Sequence, residues 1–156
     1  MKRIVCLLGV LVLALGIGCA AAEQRVNLPD SKYSLALPDS MEYRDGREGS
    51  DENFSYLDRN SALTAHFSHR TSGNTTLKEV AEKLRDAGYD IQMTRVNGLE
   101  MIVYRAESTT GDGMKAIGYI LKDGNDIWET WFWYATQNEA DMTKTIMESI
   151  QETGTV

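Results

Sequence analysis

"IQMTRVNGLEMIVYRA", Ile91 to Ala106, carries two strand-like runs on either side of Asn97-Gly98. An Asn-Gly pair between such runs marks a type I′ hairpin turn, because both central residues need positive φ. That turn sets the register, placing Arg95 opposite Glu100 and Met93 opposite Ile102. Two further runs follow, Met114–Leu121 and Ile127–Tyr134, with a turn at Asp123-Gly124 or Gly124-Asn125 between them. The spacing predicts an antiparallel meander of four strands: Ile91–Val96, Leu99–Ala106, Met114–Leu121 and Ile127–Tyr134.

The last of these opens the stretch "IWETWFWYA", Ile127–Ala135, which holds all three tryptophans of the chain. The two turn choices differ by an even step, so both give the same facing. One face carries Ile117, Tyr119, Trp128, Thr130, Phe132 and Tyr134. The other carries Ala116, Gly118, Ile120, Ile127, Glu129, Trp131 and Trp133. Small Ala116 and Gly118 beside Trp131 and Trp133 leave room for an indole to lie flat or for a helix to come close.

Upstream, Tyr33–Leu37 alternates and stops at Pro38-Asp39, a strand entering a turn. Arg44–Asn53, "RDGREGSDEN", reads as an exposed charged loop. Phe54–Leu57 and Ala62–His69 continue as strands, the latter with Leu63, Ala65 and Phe67 on one face. Thr76 and Glu79 form a capping box, Leu77, Val80, Ala81, Leu84 and Ala87 form a helical stripe, and Gly88 ends it. A final helix, with Asn138 as its expected cap, carries Thr143, Ile146, Met147 and Ile150. The class is therefore α+β, with helices on an antiparallel sheet of about six strands.

The N-terminus has the form of a secretory signal peptide over residues 1–22. Lys2 and Arg3 precede an apolar run, Ile4–Ile17, and Ala20 and Ala22 occupy the small positions of a cleavage site. The run is shorter than the roughly 20 apolar residues that a membrane span needs. A cut after Ala22 leaves residues 23–156 as one domain. It also removes both cysteines, Cys6 and Cys19, so no disulfide or thiol chemistry would remain. Lipidation at Cys19 is the alternative, although Gly16-Ile17-Gly18 lacks a leucine at the position such signals use. The released chain keeps 14 basic residues against 23 acidic ones, a formal charge of −9. Such a surface repels nucleic acid and anionic lipid.

The strand-helix-meander-helix order resembles the Mog1/PsbP-like proteins, including the bacterial DcrB-type and DUF1795-type members. "YSLALPDSMEY", Tyr33–Tyr43, is similar to that family's opening strand, Leu-Pro turn and aromatic. The closing aromatic strand, polar turn and helix ending "IMESIQ", Ile146–Gln151, are similar as well. Met41 departs from the pattern, where tryptophan is common. The resemblance implies an α/β/α sandwich used for binding or assembly rather than catalysis. It transfers no site residue.

Chemistry-bearing motifs are few. No nucleophile elbow, Walker loop, H-E-x-x-H helix or dinucleotide fingerprint occurs. Gly111-Asp112-Gly113 reads as a plain turn. His66 and His69, three apart on a strand, point to opposite faces and cannot share a metal. A pair of carboxylates for glycan hydrolysis is the enzymatic alternative.

Helical cover decides the rest. Six strands spaced about 4.8 Å apart make a broad sheet with two faces, while two helices about 10 Å across cover roughly one. The expectation is an exported, non-catalytic binding or assembly domain of the cell envelope, without metal or cofactor. It would use an incompletely covered aromatic sheet face or a sheet edge to hold an envelope protein, peptide or glycan. Trp131 and Trp133 form the candidate platform and Glu129 its polar handle. A lipoprotein scaffold tethered through Cys19 is the remaining alternative.

Overall fold

A computed structural model describes residues 23–45 and 52–153. The leader through Ala22, with Cys6 and Cys19, lies outside them, as do residues 46–51 of the charged loop. The described elements run β1 (Glu23–Asn27), β2 (Tyr33–Pro38), β3 (Met41–Asp45), β4 (Glu52–Asp58), β5 (Thr64–Thr71) and α1 (Leu77–Asp86). Then come β6 (Asp90–Val96), β7 (Leu99–Glu107), β8 (Lys115–Asp123), β9 (Asp126–Tyr134), α2 (Gln137–Glu148) and β10 (Gln151–Glu152).

The main sheet has seven strands rather than about six, in the order β3-β4-β5-β9-β8-β7-β6, and is antiparallel throughout. The meander forms as its turns dictate. Asn97 and Gly98 take φ of 49° and 83°, and Arg95 pairs with Glu100 and Met93 with Ile102. Tyr33–Pro38 is not in this sheet. It is the centre of a separate three-stranded sheet, β1-β2-β10. The additional main-sheet strand is β3, "MEYRD", whose charges suit an edge that pairs on one side only.

Alternation splits the core in two. On one face Met101, Val103, Ile117, Tyr119, Leu121, Trp128 and Phe132 are buried together with Leu35 and Leu37 of β2 and Ile146 and Met147 of α2. On the other face Ile102, Ile120 and Ile127 meet Val80 and Ala81 of α1. The helices thus lie on opposite faces, and the small sheet shares its face with α2. Three contacts pin it there: the Trp128 indole donates to the Pro29 carbonyl at 2.7 Å, the Tyr33 hydroxyl donates to Asp123 at 2.9 Å, and Lys32 bridges Asp123 and Glu152, each at 3.0 Å.

Both helices begin with capping boxes. In α1 the pair is Thr76 and Glu79, as its sequence predicts. In α2 the cap is Thr136, not Asn138, because Glu139 stands three residues after the threonine and closes the reciprocal pair. Glu139 reaches further than a cap requires. Its carboxylate accepts from the backbone N–H groups of Ala135, Thr136 and Ala62 at 2.6, 2.8 and 2.8 Å, tying the helix start to the approach to β5. Burial alone would raise this carboxyl, but those donors outweigh it and hold it below the ordinary glutamate range. The stabilisation is therefore present above that range and disappears as pH falls through the lowered value. In denaturant unfolding, Glu139→Ala is expected to cost about 3 kcal/mol, since it strands buried donors. It should also flatten the acid limb of the stability profile. Glu139→Gln, which keeps an acceptor, should fall between.

Candidate functional site

Cover on the α1 side of the sheet is incomplete. The helix lies over Ile102, Ile120 and Ile127, at the end near the β8–β9 turn. Toward the other end of β9 the rows change character. Register places Tyr104, Gly118, Trp131 and His66 side by side across β7, β8, β9 and β5, followed by Ala106, Ala116, Trp133 and Thr64. An open groove of about 710 Å³ lies over this corner, walled by Tyr89, Tyr104, Trp131, Trp133 and the turn from Ser108 to Met114. Its floor is shallow in side chain, Ala106 and Ala116, which gives the groove its depth.

Trp131 and Trp133 are both half-buried and both line the groove. Trp131 is braced from one side by the His66 imidazole, stacked at 5.0 Å between centroids and 7° between planes. Glu129 behaves differently from the handle its sequence position suggests. It does not line the groove, and its carboxylate accepts from the Tyr104 hydroxyl at 2.5 Å. Burial first, and the neighbouring Glu129 charge second, push the Tyr104 phenol well above its ordinary value, so it remains a proton donor to that carboxylate.

Gly118 makes this bond possible. A Cβ built on it would collide with ring carbons Cε1 and Cζ of Tyr104, which lies across β8 to reach Glu129 on β9. The space above Gly118 is therefore filled by a tyrosine of β7, not by an indole or a helix. Tyr89 then meets Tyr104 edge-on at 5.4 Å. Sequence reading missed Tyr104 and Tyr89. The available signal was a glycine inside a strand, which often marks close approach of another group, placed opposite Tyr104 by the meander's register.

The turn from Ser108 to Met114 closes on itself. The Ser108 and Thr110 hydroxyls share a hydrogen bond at 2.6 Å, and Asp112 accepts from the Thr110 hydroxyl at 2.6 Å and the Met114 N–H at 2.9 Å. Gly111 and Gly113 both take φ of 74°, as a plain turn needs. The two histidines lie on opposite faces. His69 stacks on Trp128 and approaches Asp126 at 2.9 Å and Asp30 at 3.6 Å, far from the groove face. Among the described residues, no group of three His, Cys, Asp or Glu side chains is arranged to hold a metal ion. Cys19, the candidate lipidation site, is outside them.

This two-faced sheet, with one helix on one side and a helix plus small sheet on the other, is a Mog1/PsbP-like fold. Two solved structures show the likeness. Cyanobacterial PsbP (CyanoP) from Synechocystis sp. PCC 6803 matches with a TM-score of 0.63 at 13% identity, over 88% of this chain and 95% of that one. A protein from Bacteroides thetaiotaomicron VPI-5482 matches with a TM-score of 0.63 at 11% identity over 82% of this chain, which spans 47% of its length. No protein-family model and no curated protein sequence matches the chain.

The Gly118–Tyr104 contact is testable by a double-mutant cycle. Gly118→Ala is expected to cost about 1–3 kcal/mol in denaturant unfolding, the range for overpacking. In a Tyr104→Ala background, where the obstructing ring is gone, the same substitution should cost much less. Equal costs in both backgrounds would refute the contact.

Proposed function

We propose that this chain is an exported, non-catalytic binding or assembly domain of the cell envelope, and that its partner docks in the groove of Trp131 and Trp133. The observation that carries this reading is the groove itself: an open aromatic channel with two half-buried indoles on the α1 face of the sheet. Half-buried indoles over a floor of alanines are poor core and good recognition surface, since large rings gain most from losing their remaining water on binding. Glu129 contributes indirectly, by holding Tyr104 as one wall. The polar groups near the channel are largely engaged with one another, so it is better suited to holding a partner than to moving protons. A photo-crosslinking amino acid at position 133, in the chain expressed in its own host, should capture one envelope component. The same label at exposed Lys144, on α2, should not. Equal yields at the two positions would remove the groove from the proposal.

Export is proposed on the leader's sequence, and the fold accommodates it. The predicted cut after Ala22 falls just before β1, which pairs from Glu23 with Pro38 onward, so cleavage leaves every β1–β2 pair intact. Mass spectrometry of the mature chain should find Glu23 at its start. An acylated Cys19 in its place would establish the tethered form.

A further inference from the structure

The charge of the groove narrows what it would hold, given the docking face proposed above. No lysine or arginine lines it, and its charged residues are Glu107 and Asp112. Four rings, Tyr89, Tyr104, Trp131 and Trp133, surround it, and the face of an aromatic ring is the negative side of its quadrupole. We infer that the groove accepts an arginine-bearing peptide segment of a partner protein, with the guanidinium laid on the indoles and Asp112 as its counter-charge.

Several features favour this occupant. The Thr110 hydroxyl and the Met114 N–H hold the Asp112 carboxyl below the usual range, so the rim stays negative. The whole chain is acidic, with a formal charge of −7 before any cleavage, so its long-range field draws cations and turns anions away. Arginine suits the site better than lysine because a planar guanidinium stacks on a ring and still offers donors to a carboxylate. A neutral glycan carries no charge to meet Glu107 and Asp112, whereas a guanidinium adds charge-assisted hydrogen bonds to a carboxylate that already accepts two. Strand addition has no template here, because β7, β8 and β9 are paired on both sides. A peptide would therefore grip through side chains. The volume, about 710 Å³, exceeds one guanidinium and leaves room for the flanking residues.

Tryptophan fluorescence gives the test, with Trp128, sealed on the opposite face, as a constant background. The intact chain would be titrated with a short arginine-glycine peptide, a glutamate-glycine peptide of equal length and a neutral chito-oligosaccharide. The expected result is a saturable change with the arginine peptide alone, weakening as salt is raised. Trp133→Ala should weaken binding about tenfold, the scale of a desolvated cation–π contact, with Trp133→Phe in between. Asp112→Asn should weaken it by a smaller factor, and Asp141→Asn, on exposed α2, should leave it unchanged. The inference is overturned by arginine-peptide binding that survives both Trp133→Ala and Asp112→Asn, by an equal loss in Asp141→Asn, or by saturation with the oligosaccharide instead. A crosslink at position 133 in the envelope without arginine-peptide binding would keep the docking face and discard the cation.

Discussion

Alternation along β7, β8 and β9 is the constraint on which the structure turns. Successive side chains point to opposite faces, and on these strands both sets are apolar, so neither face of the sheet can be left to water. The described residues form two helices, one on each side. That division leaves both faces short of cover, and the shortage is made up more fully on the α2 side, where a cleft of about 520 Å³ still opens between α2 and β6–β7. There the N-terminal strands and β10 form a second small sheet beside α2, and Leu35 and Leu37 of β2 become fully buried. On the α1 side nothing equivalent arrives among the described residues, and the corner beyond the helix stays open.

Much of this was legible because the signals were local. Asn97-Gly98 forces positive φ at two residues, so the central hairpin's register follows without tertiary information. The capping box and stripe of α1 are equally self-contained. What escaped reading depended on pairing at a distance. β3 carries charges that look like loop until β4 lies beside it, and β2 looks like a main-sheet strand until β1 and β10 claim both its edges. Thr136 was legible as a cap from its own spacing to Glu139, but Asn138 offered a second good capping residue nearby. At the groove, the facing of Trp131 and Trp133 followed from parity alone. The fate of Glu129 did not, since it depends on a tyrosine two strands away crossing over Gly118.

That crossing also explains why the open corner has not simply collapsed. Exposed rings over alanines would normally fold down onto the floor and remove themselves from water. Here two of them are held off. Trp131 is propped by the His66 ring on β5, and Tyr104 is fixed by its hydroxyl on Glu129 and by the absence of a Cβ at Gly118. The Ser108–Met114 turn is held in shape by its own hydrogen bonds. These walls are thus held by contacts within the chain, so a partner of the kind proposed above would not have to order them. Affinity between surfaces of modest area depends heavily on such preorganisation. A carboxylate placed among tryptophans on a strand makes sense in those terms: Glu129 holds the Tyr104 wall of the groove in place without lining the groove itself.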